Sequence, residues 1–371
     1  MNADKVRTFR APGRVNLIGE HTDYNDGFVM PAALDFSTWV KISPLEQRKL
    51  IIFSENYNHE IEVDLDDPNL AASGRWSDYP VGVAVVLERA GHRLRGARMR
   101  IRGEVPIGSG LSSSAAIEVA TACALTANSG LKIDPRELAL LCQRAENEFV
   151  GARVGIMDQF ISLFGQANKA LLLDCRSLEF RLLPVPDNVR LIICNTMVKH
   201  ALASSAYNER RAQCEAGVKH LAKFVAGITA LRDVTIEQLQ AHAEGLDDVV
   251  YRRCRHVITE NARVLAAGDA LDQGDLERFG KLMGESHRSL RDDYEVSSDE
   301  LDVMVEIAQE VEGVYGARMT GGGFGGCTVN LVADSHAEEF QKRVAEEYEG
   351  ATSLKPEIYI CTAANGAEEV F

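Results

Sequence analysis

No two cysteines stand at C-x-x-C spacing in this chain of 371 residues. The eight that occur, Cys123, Cys142, Cys175, Cys194, Cys214, Cys254, Cys327 and Cys361, are scattered singly. That spread excludes a zinc signature and a disulfide framework and leaves buried, reduced thiols. Positive charge is also short: 40 Lys and Arg stand against 55 Asp and Glu, for a formal net charge of −15. A broad phosphate-binding face for nucleic acid is therefore excluded, and any anionic ligand has to be captured locally. No aliphatic run approaches membrane-spanning length, and the opening MNADKVRTFRAPGR has no apolar signal core. Internal repeats and low-complexity linkers are missing too. The expectation is a cytoplasmic protein that engages neither membrane nor nucleic acid.

With 46% hydrophobic residues the chain can bury a large core, and its length suits two domains better than one. TWVKI, KLIIF and the alternating HEIEVDL predict strands in the first hundred residues. IDPRELALLCQRAENEF predicts a helix with Asp134 as N-cap, Pro135 in the first position and Glu137 two places on. Leu138, Leu141, Cys142, Ala145 and Phe149 fall on one face of it. From about residue 204 to 313 the pattern is mostly helical and charged, before MTGGGFGGCTVNLV returns to a glycine turn entering a strand. A strand-rich first half and a helix-rich second half predict an α+β fold. The change of pattern near 175–190, marked by PVPDN, divides it into residues 1–180 and 181–371.

Three segments carry chemistry. PIGSGLSSSAAIEVATACALTA, from Pro106, is a Gly-Ser loop running into a helix of small residues. Free N–H groups at a helix start hold phosphate without a basic side chain, and glycines let the backbone come close. It lacks the lysine of a Walker A loop and the third glycine of G-x-G-x-x-G, and a capped helix after a flexible turn is the plainer alternative. In GRVNLIGEHTDYNDG, residues 13–27, Glu20, His21 and Asp23 can converge on a polyol, bind a divalent ion, or be solvated loop charge. TGGGFGGC, from Thr320, is either a ligand-facing nest or a tight turn between strands. Asp158, set among apolar neighbours in GIMDQFISLFG, needs a partner or a task, unless it is an N-cap. Periodicity does not decide which of Glu146 and Glu148 faces inward.

GRVNLIGEHTDYNDGFVMP resembles the galactokinase signature, PIGSGLSSSAA the phosphate-binding motif of the GHMP small-molecule kinases, and MTGGGFGGC their third motif. They occur in the family's order, and AENEFVGARVGIMDQF and KHALASSAYNERRAQCE extend the resemblance over nearly the whole chain. It implies a two-domain GHMP kinase fold with the active site between the domains, and ATP-dependent phosphorylation of galactose at the C1 hydroxyl. The co-substrate is then ATP, with Mg²⁺, and the protein a monomer or weak homo-oligomer.

Carried over, the resemblance makes Glu20, His21, Asp23, Gly155, Asp158 and Tyr207 the sugar pocket. Gly108, Ser109, Gly110, Leu111, Ser112, Ser113 and Ser114 hold the nucleotide's phosphates, with Trp76 and Tyr79 along its pocket. Ser114 and Glu146 hold Mg²⁺. Asp158 accepts the hydroxyl proton and Arg14 lies beside it. Ile107, Ser109, Arg153 and Val154 depart from the family's usual residues without breaking a motif. A sister kinase for arabinose, galacturonate or N-acetylgalactosamine is the alternative. A non-catalytic sensor is disfavoured, because Arg14, Asp158 and GLSSSAA are intact.

Overall fold

The computed structural model describes residues 6–199 and 203–371. In the first half the strands are β1 (Arg7–Asn16), β2 (Phe28–Val29), β3 (Pro31–Pro44), β4 (Lys49–Ser54), β5 (His59–Asp64), β6 (Ala97–Gly103), β7 (Lys169–Asp174) and β8 (Phe180–Pro184). The helices between them are α1 (Asp78–Arg89), α2 (Ser113–Ser129), α3 (Pro135–Arg144) and α4 (Met157–Phe164). There follow β9 (Val189–Lys199), α5 (Ala203–Leu221), α6 (Ile236–Ala241), α7 (Asp248–Asp272), α8 (Leu276–Ser289) and α9 (Asp299–Gln309). The chain closes with β10 (Val314–Thr320), β11 (Gly325–Ala333), α10 (Ala337–Thr352), β12 (Glu357–Cys361) and β13 (Glu368–Val370).

Three sheets result, in the orders β13-β1-β3-β6-β4-β5, β10-β11-β9-β12 and β2-β7-β8. The α+β expectation holds, but the halves mix more than the pattern suggested: four helices lie before residue 180, and a four-stranded sheet lies after it. Alternation found β5, where Ile61 and Val63 turn toward the core and Glu60, Glu62 and Asp64 are exposed. It is silent on β11, which is buried on both faces over most of its length and so shows no period of two. The last strand, β13, returns to pair with β1.

The helix expected from residue 135 forms as read. Asp134 accepts the backbone N–H of Arg136 at 2.9 Å, Pro135 follows it, and Leu138, Leu141, Cys142, Ala145 and Phe149 are all buried. One core lies between the six-stranded sheet and α1–α3, around Val40, Ile52, Met99, Val86 and Leu125. A second joins the halves, packing Val15, Leu17 and Met30 against Val264, Met283 and Val329. All eight cysteines are unpaired.

Helix α8 lies backbone to backbone on β10: a Cβ on Gly280 would come 1.7 Å from the carbonyl oxygen of Tyr315. Gly350 in α10 has nothing within 4 Å of its added Cβ. Gly280→Ala should therefore lose about 3 kcal/mol or more of stability in urea unfolding, whereas Gly350→Ala should gain up to about 1 kcal/mol. Equal effects would contradict the packing of α8 on β10.

Candidate active site

Four turns bring the functional side chains together: the end of β1 with residues 17–27, the loop between β6 and α2, the turn from α3 into α4, and the β10–β11 turn. At their meeting point Arg14, 6% exposed, donates from Nε and Nη2 to Oδ1 and Oδ2 of Asp158, each at 2.7 Å. Its Nη1 donates to the carbonyl of Gly110 at 2.5 Å. The Ser112 hydroxyl donates to Asp158 Oδ2. Burial opposes the charge on Arg14, but Asp158 outweighs it and the guanidinium is held more firmly protonated than usual. Asp158 is the second residue of α4, after Ile156 as N-cap, so the capping alternative fails.

Ser112 does not cap α2 either. It sits at φ 58°, its hydroxyl is committed to Asp158, and the first turn of the helix has no side-chain cap. Those N–H groups are left for a ligand. A cavity of about 710 Å³ opens beside them, lined by Gly108, Gly110, Leu111, Ser112, Ser113 and Ser114. Arg14 and Asp158 stand at one side of it, and Trp76 and Tyr79 also line it. The Ser109 side chain is not part of that lining: its hydroxyl donates to the Pro106 carbonyl at 2.7 Å and is buried, so it shapes the loop from within. Tyr57, which the sequence reading missed, stacks on Trp76 with ring centroids 5.9 Å apart.

On the other side of Asp158 lie the E-H-x-D residues. Asp23 packs against Gly155 so closely that a Cβ there would fall 1.9 Å from Asp23 Oδ2, which explains the glycine. Burial, and next the charge of Asp158, push the Asp23 carboxyl up to about 7. His21, at φ 64°, meets the hydroxyl of Tyr24 through Nδ1 at 2.9 Å and packs on Tyr207 and Tyr294. Burial, then His256, lower its pKa to about 3, so the ring is neutral. Tyr24, Asn25 and Asp26 support the turn: the Asn25 side chain donates to the His21 carbonyl at 2.9 Å, and Asp26 closes the turn at φ 56°.

The structure separates Glu146 from Glu148. After Arg144 the helix widens into one π-helical turn over Ala145–Val150. Glu148 pairs with Arg144 in solvent, while Glu146 is 5% exposed and turned inward. Ser114 hydrogen-bonds to Glu146, and the Gln159 amide Nε2 donates to both Glu146 Oε2 at 2.7 Å and Glu118 Oε2 at 3.0 Å. Burial, then Asp158, raise Glu146 to about 7; burial, then Glu146, raise Glu118 well above the carboxylate range. Glu118 Oε1 has no partner. Two buried carboxyls sharing one neutral amide leave a local demand for a proton or a cation. Glu118 and Gln159 were missed by the sequence reading, although a lone carboxylate four residues after Ser114 in an otherwise apolar helix was a usable signal. Among the described residues, no group of three or more His, Cys, Asp and Glu could hold a metal ion.

A Gly-Ser loop running into an uncapped helix start, beside a carboxylate clamped by arginine, is an arrangement suited to phosphoryl transfer to a small acceptor. The family models for the GHMP kinase N-terminal and C-terminal domains match residues 78–166 and 269–350. The galactokinase galactose-binding signature matches residues 2–44. A galactokinase of Roseiflexus sp. (strain RS-1) is 49% identical over 362 residues, covering 97% of this chain and 92% of that one. The crystal structure of Lactococcus lactis galactokinase complexed with galactose is 39% identical, with a TM-score of 0.95 over 99% of this chain and 95% of that one. The Methanococcus jannaschii mevalonate kinase structure, 20% identical with a TM-score of 0.67 over 98% and 99% of the two chains, shares the fold. The chain belongs to the galactokinase family.

The raised pKa of Asp23 has a sign that can be checked. The folded protein holds this proton up to about pH 7 and the unfolded chain releases it near 4, so stability is lost as pH rises through that window. Asp23→Asn should then melt higher than the parent at pH 8, with the gap closing toward pH 4. A constant gap across that range would contradict the assignment.

Proposed function

We propose that this protein transfers the γ-phosphoryl group of ATP to the C1 hydroxyl of galactose, the first committed step of galactose breakdown. The observation that carries the proposal is the cluster of Arg14, Asp158 and Ser112. It stands where the E-H-x-D segment meets the Gly-Ser loop, so an acceptor on one side faces a phosphate on the other. Glu20, His21, Asp23, Gly155, Asp158 and Tyr207 form the sugar side. Gly108, Gly110, Leu111, Ser112, Ser113 and Ser114 cradle the phosphates, Ser109 bracing the loop beneath them. Trp76 and Tyr79, with Tyr57, border the base.

In-line transfer through a loose transition state asks for positioning and charge neutralisation more than for early deprotonation. Asp158, with both oxygens held by Arg14, orients the C1 hydroxyl and takes its proton as the bond to phosphorus forms. Arg14, fixed by Gly110 as well, faces the same oxygen and offsets the charge that develops there. The N–H groups at the start of α2 hold the phosphate oxygens.

Ser114 and Glu146 would hold Mg²⁺, and the cation-poor pair of Glu146 and Glu118 fits such an ion. When bound, the ion neutralises phosphate charge. No helix among the described residues is long and apolar enough to cross a membrane, and the unpaired thiols support a cytoplasmic place of work. Two domains are supported by the GHMP domain models on residues 78–166 and 269–350, and because a cut between residues 180 and 181 would split β8, the boundary belongs after that strand.

An ATP-coupled assay over a panel of sugars tests the reading. Galactose should give the highest kcat/KM, and Asp158→Ala and Arg14→Ala should each lower kcat by about a hundredfold or more while leaving the far-ultraviolet circular dichroism unchanged. Another hexose or a pentose ranking first would overturn the substrate; near-normal kcat in either variant would remove that residue from the chemistry.

A further inference from the structure

Arg318 stands in β10 with its side chain wholly buried. Its Nη1 donates to the carbonyl of Asn16 at 3.1 Å and to Glu20 Oε1 at 3.4 Å, while Nε and Nη2 have no hydrogen-bond partner. A guanidinium with two of its three nitrogens unpaired costs more to bury than an apolar side chain of similar volume. Packing alone does not account for it. The other carboxylate that feels its charge, Glu260, has a full set of its own: Gly19 N at 3.0 Å, Ser286 Oγ at 2.5 Å and Arg263 Nε at 2.7 Å.

Glu20 is different. It is 2% exposed, and among the described residues Arg318 is the cation paired with it. Its Oε1 also accepts from the backbone N–H of Gly321 at 2.8 Å and from Thr320 Oγ1 at 3.1 Å. One oxygen is thus saturated by β10 and the turn that follows it. The hydrogen bonds made by the Glu20 side chain among the described residues all end on that oxygen, which leaves the second free for a ligand. Arg318 also donates to the carbonyl of Asn16 and Thr320 Oγ1 accepts the Asn16 N–H at 3.3 Å, so the end of β1 and the carboxylate are fixed to the same strand.

We infer that Arg318 is a positioning residue for the acceptor: together with the Gly321 N–H it locks one oxygen of Glu20 and so presents the other to a sugar hydroxyl. This rests on the reading of Glu20 as a sugar ligand. Arg318 does not line the nucleotide cavity, so its effect belongs to the sugar and not to ATP. Lysine keeps the charge but reaches with a single point instead of a planar fork.

The test is a double-mutant cycle in steady-state kinetics with galactose and ATP varied separately, using Arg318→Met, Arg318→Lys, Glu20→Gln and the doubles. Arg318→Met should raise the galactose KM about tenfold or more, with ATP KM within about twofold and kcat within about fivefold of the parent. Arg318→Lys should fall between parent and Arg318→Met. In the Glu20→Gln background either change at Arg318 should add less than about twofold, because its route of action is already gone. An unchanged galactose KM, an equal rise in both KM values, or a full effect in the Glu20→Gln background would overturn the inference. Should Arg318→Met fail to fold, the cycle with Arg318→Lys decides in the same way. Glu20→Gln leaving the galactose KM unchanged would instead overturn the sugar-ligand reading itself, an outcome distinct from Arg318 failing while Glu20 matters.

Discussion

The two-pronged ion pair between Arg14 and Asp158 is the constraint on which the site depends. A bidentate guanidinium–carboxylate contact fixes the plane as well as the distance of both groups. Here it ties β1 to the start of α4, and through Gly110 and Ser112 it reaches the loop before α2. Three segments far apart in sequence thereby share one rigid centre. The pair is largely enclosed, so each member depends on the other: loss of one leaves an uncompensated charge in a half-dry site.

Around that centre the fold trades stability for placement. His21 and Ser112, neither of them glycine, occupy the left-handed region of backbone space at φ 64° and 58°. Such conformations cost roughly 1–3 kcal/mol each and persist where surrounding contacts over-determine them. Asp23 and Glu146 are carboxyls desolvated within reach of Asp158's charge, and Glu118 is desolvated beside Glu146. None of these is a choice that packing alone would make. Together they suit the proposed placing of sugar hydroxyls on one side and of phosphate with a cation on the other.

Much of this was legible in the sequence because it is written in local chemistry. Asp134-Pro135 announces a helix start; the loop PIGSGLSSS announces close backbone approach; Gly155 and Asp158 stand close together in one loop-to-helix segment. What was not legible depends on geometry between segments. A regular helical wheel cannot separate Glu146 from Glu148, because a π-helical turn interrupts the helix at that point. Ser112 reads as a cap until its hydroxyl is seen on Asp158, and the Ser109 hydroxyl, free in the sequence, is seen to brace the loop through Pro106. The glycine cluster after Thr320 is the inter-strand turn that sequence reading allowed, and its further use, holding Glu20 through the Gly321 N–H, is a contact across 301 positions. Glu118 and Arg318 were overlooked because a lone charge in an apolar run looks like a surface residue.

The most direct measurement of the central claim is the crystal structure of a ternary complex with galactose, Mg²⁺ and a non-hydrolysable ATP analogue. The C1 hydroxyl should lie about 2.6–3.2 Å from the Asp158 carboxylate and in line with the γ-phosphorus, with Arg14 still spanning both carboxylate oxygens. A sugar bound with C1 turned away from Asp158, or an Arg14–Asp158 pair pulled apart in the complex, would contradict the account.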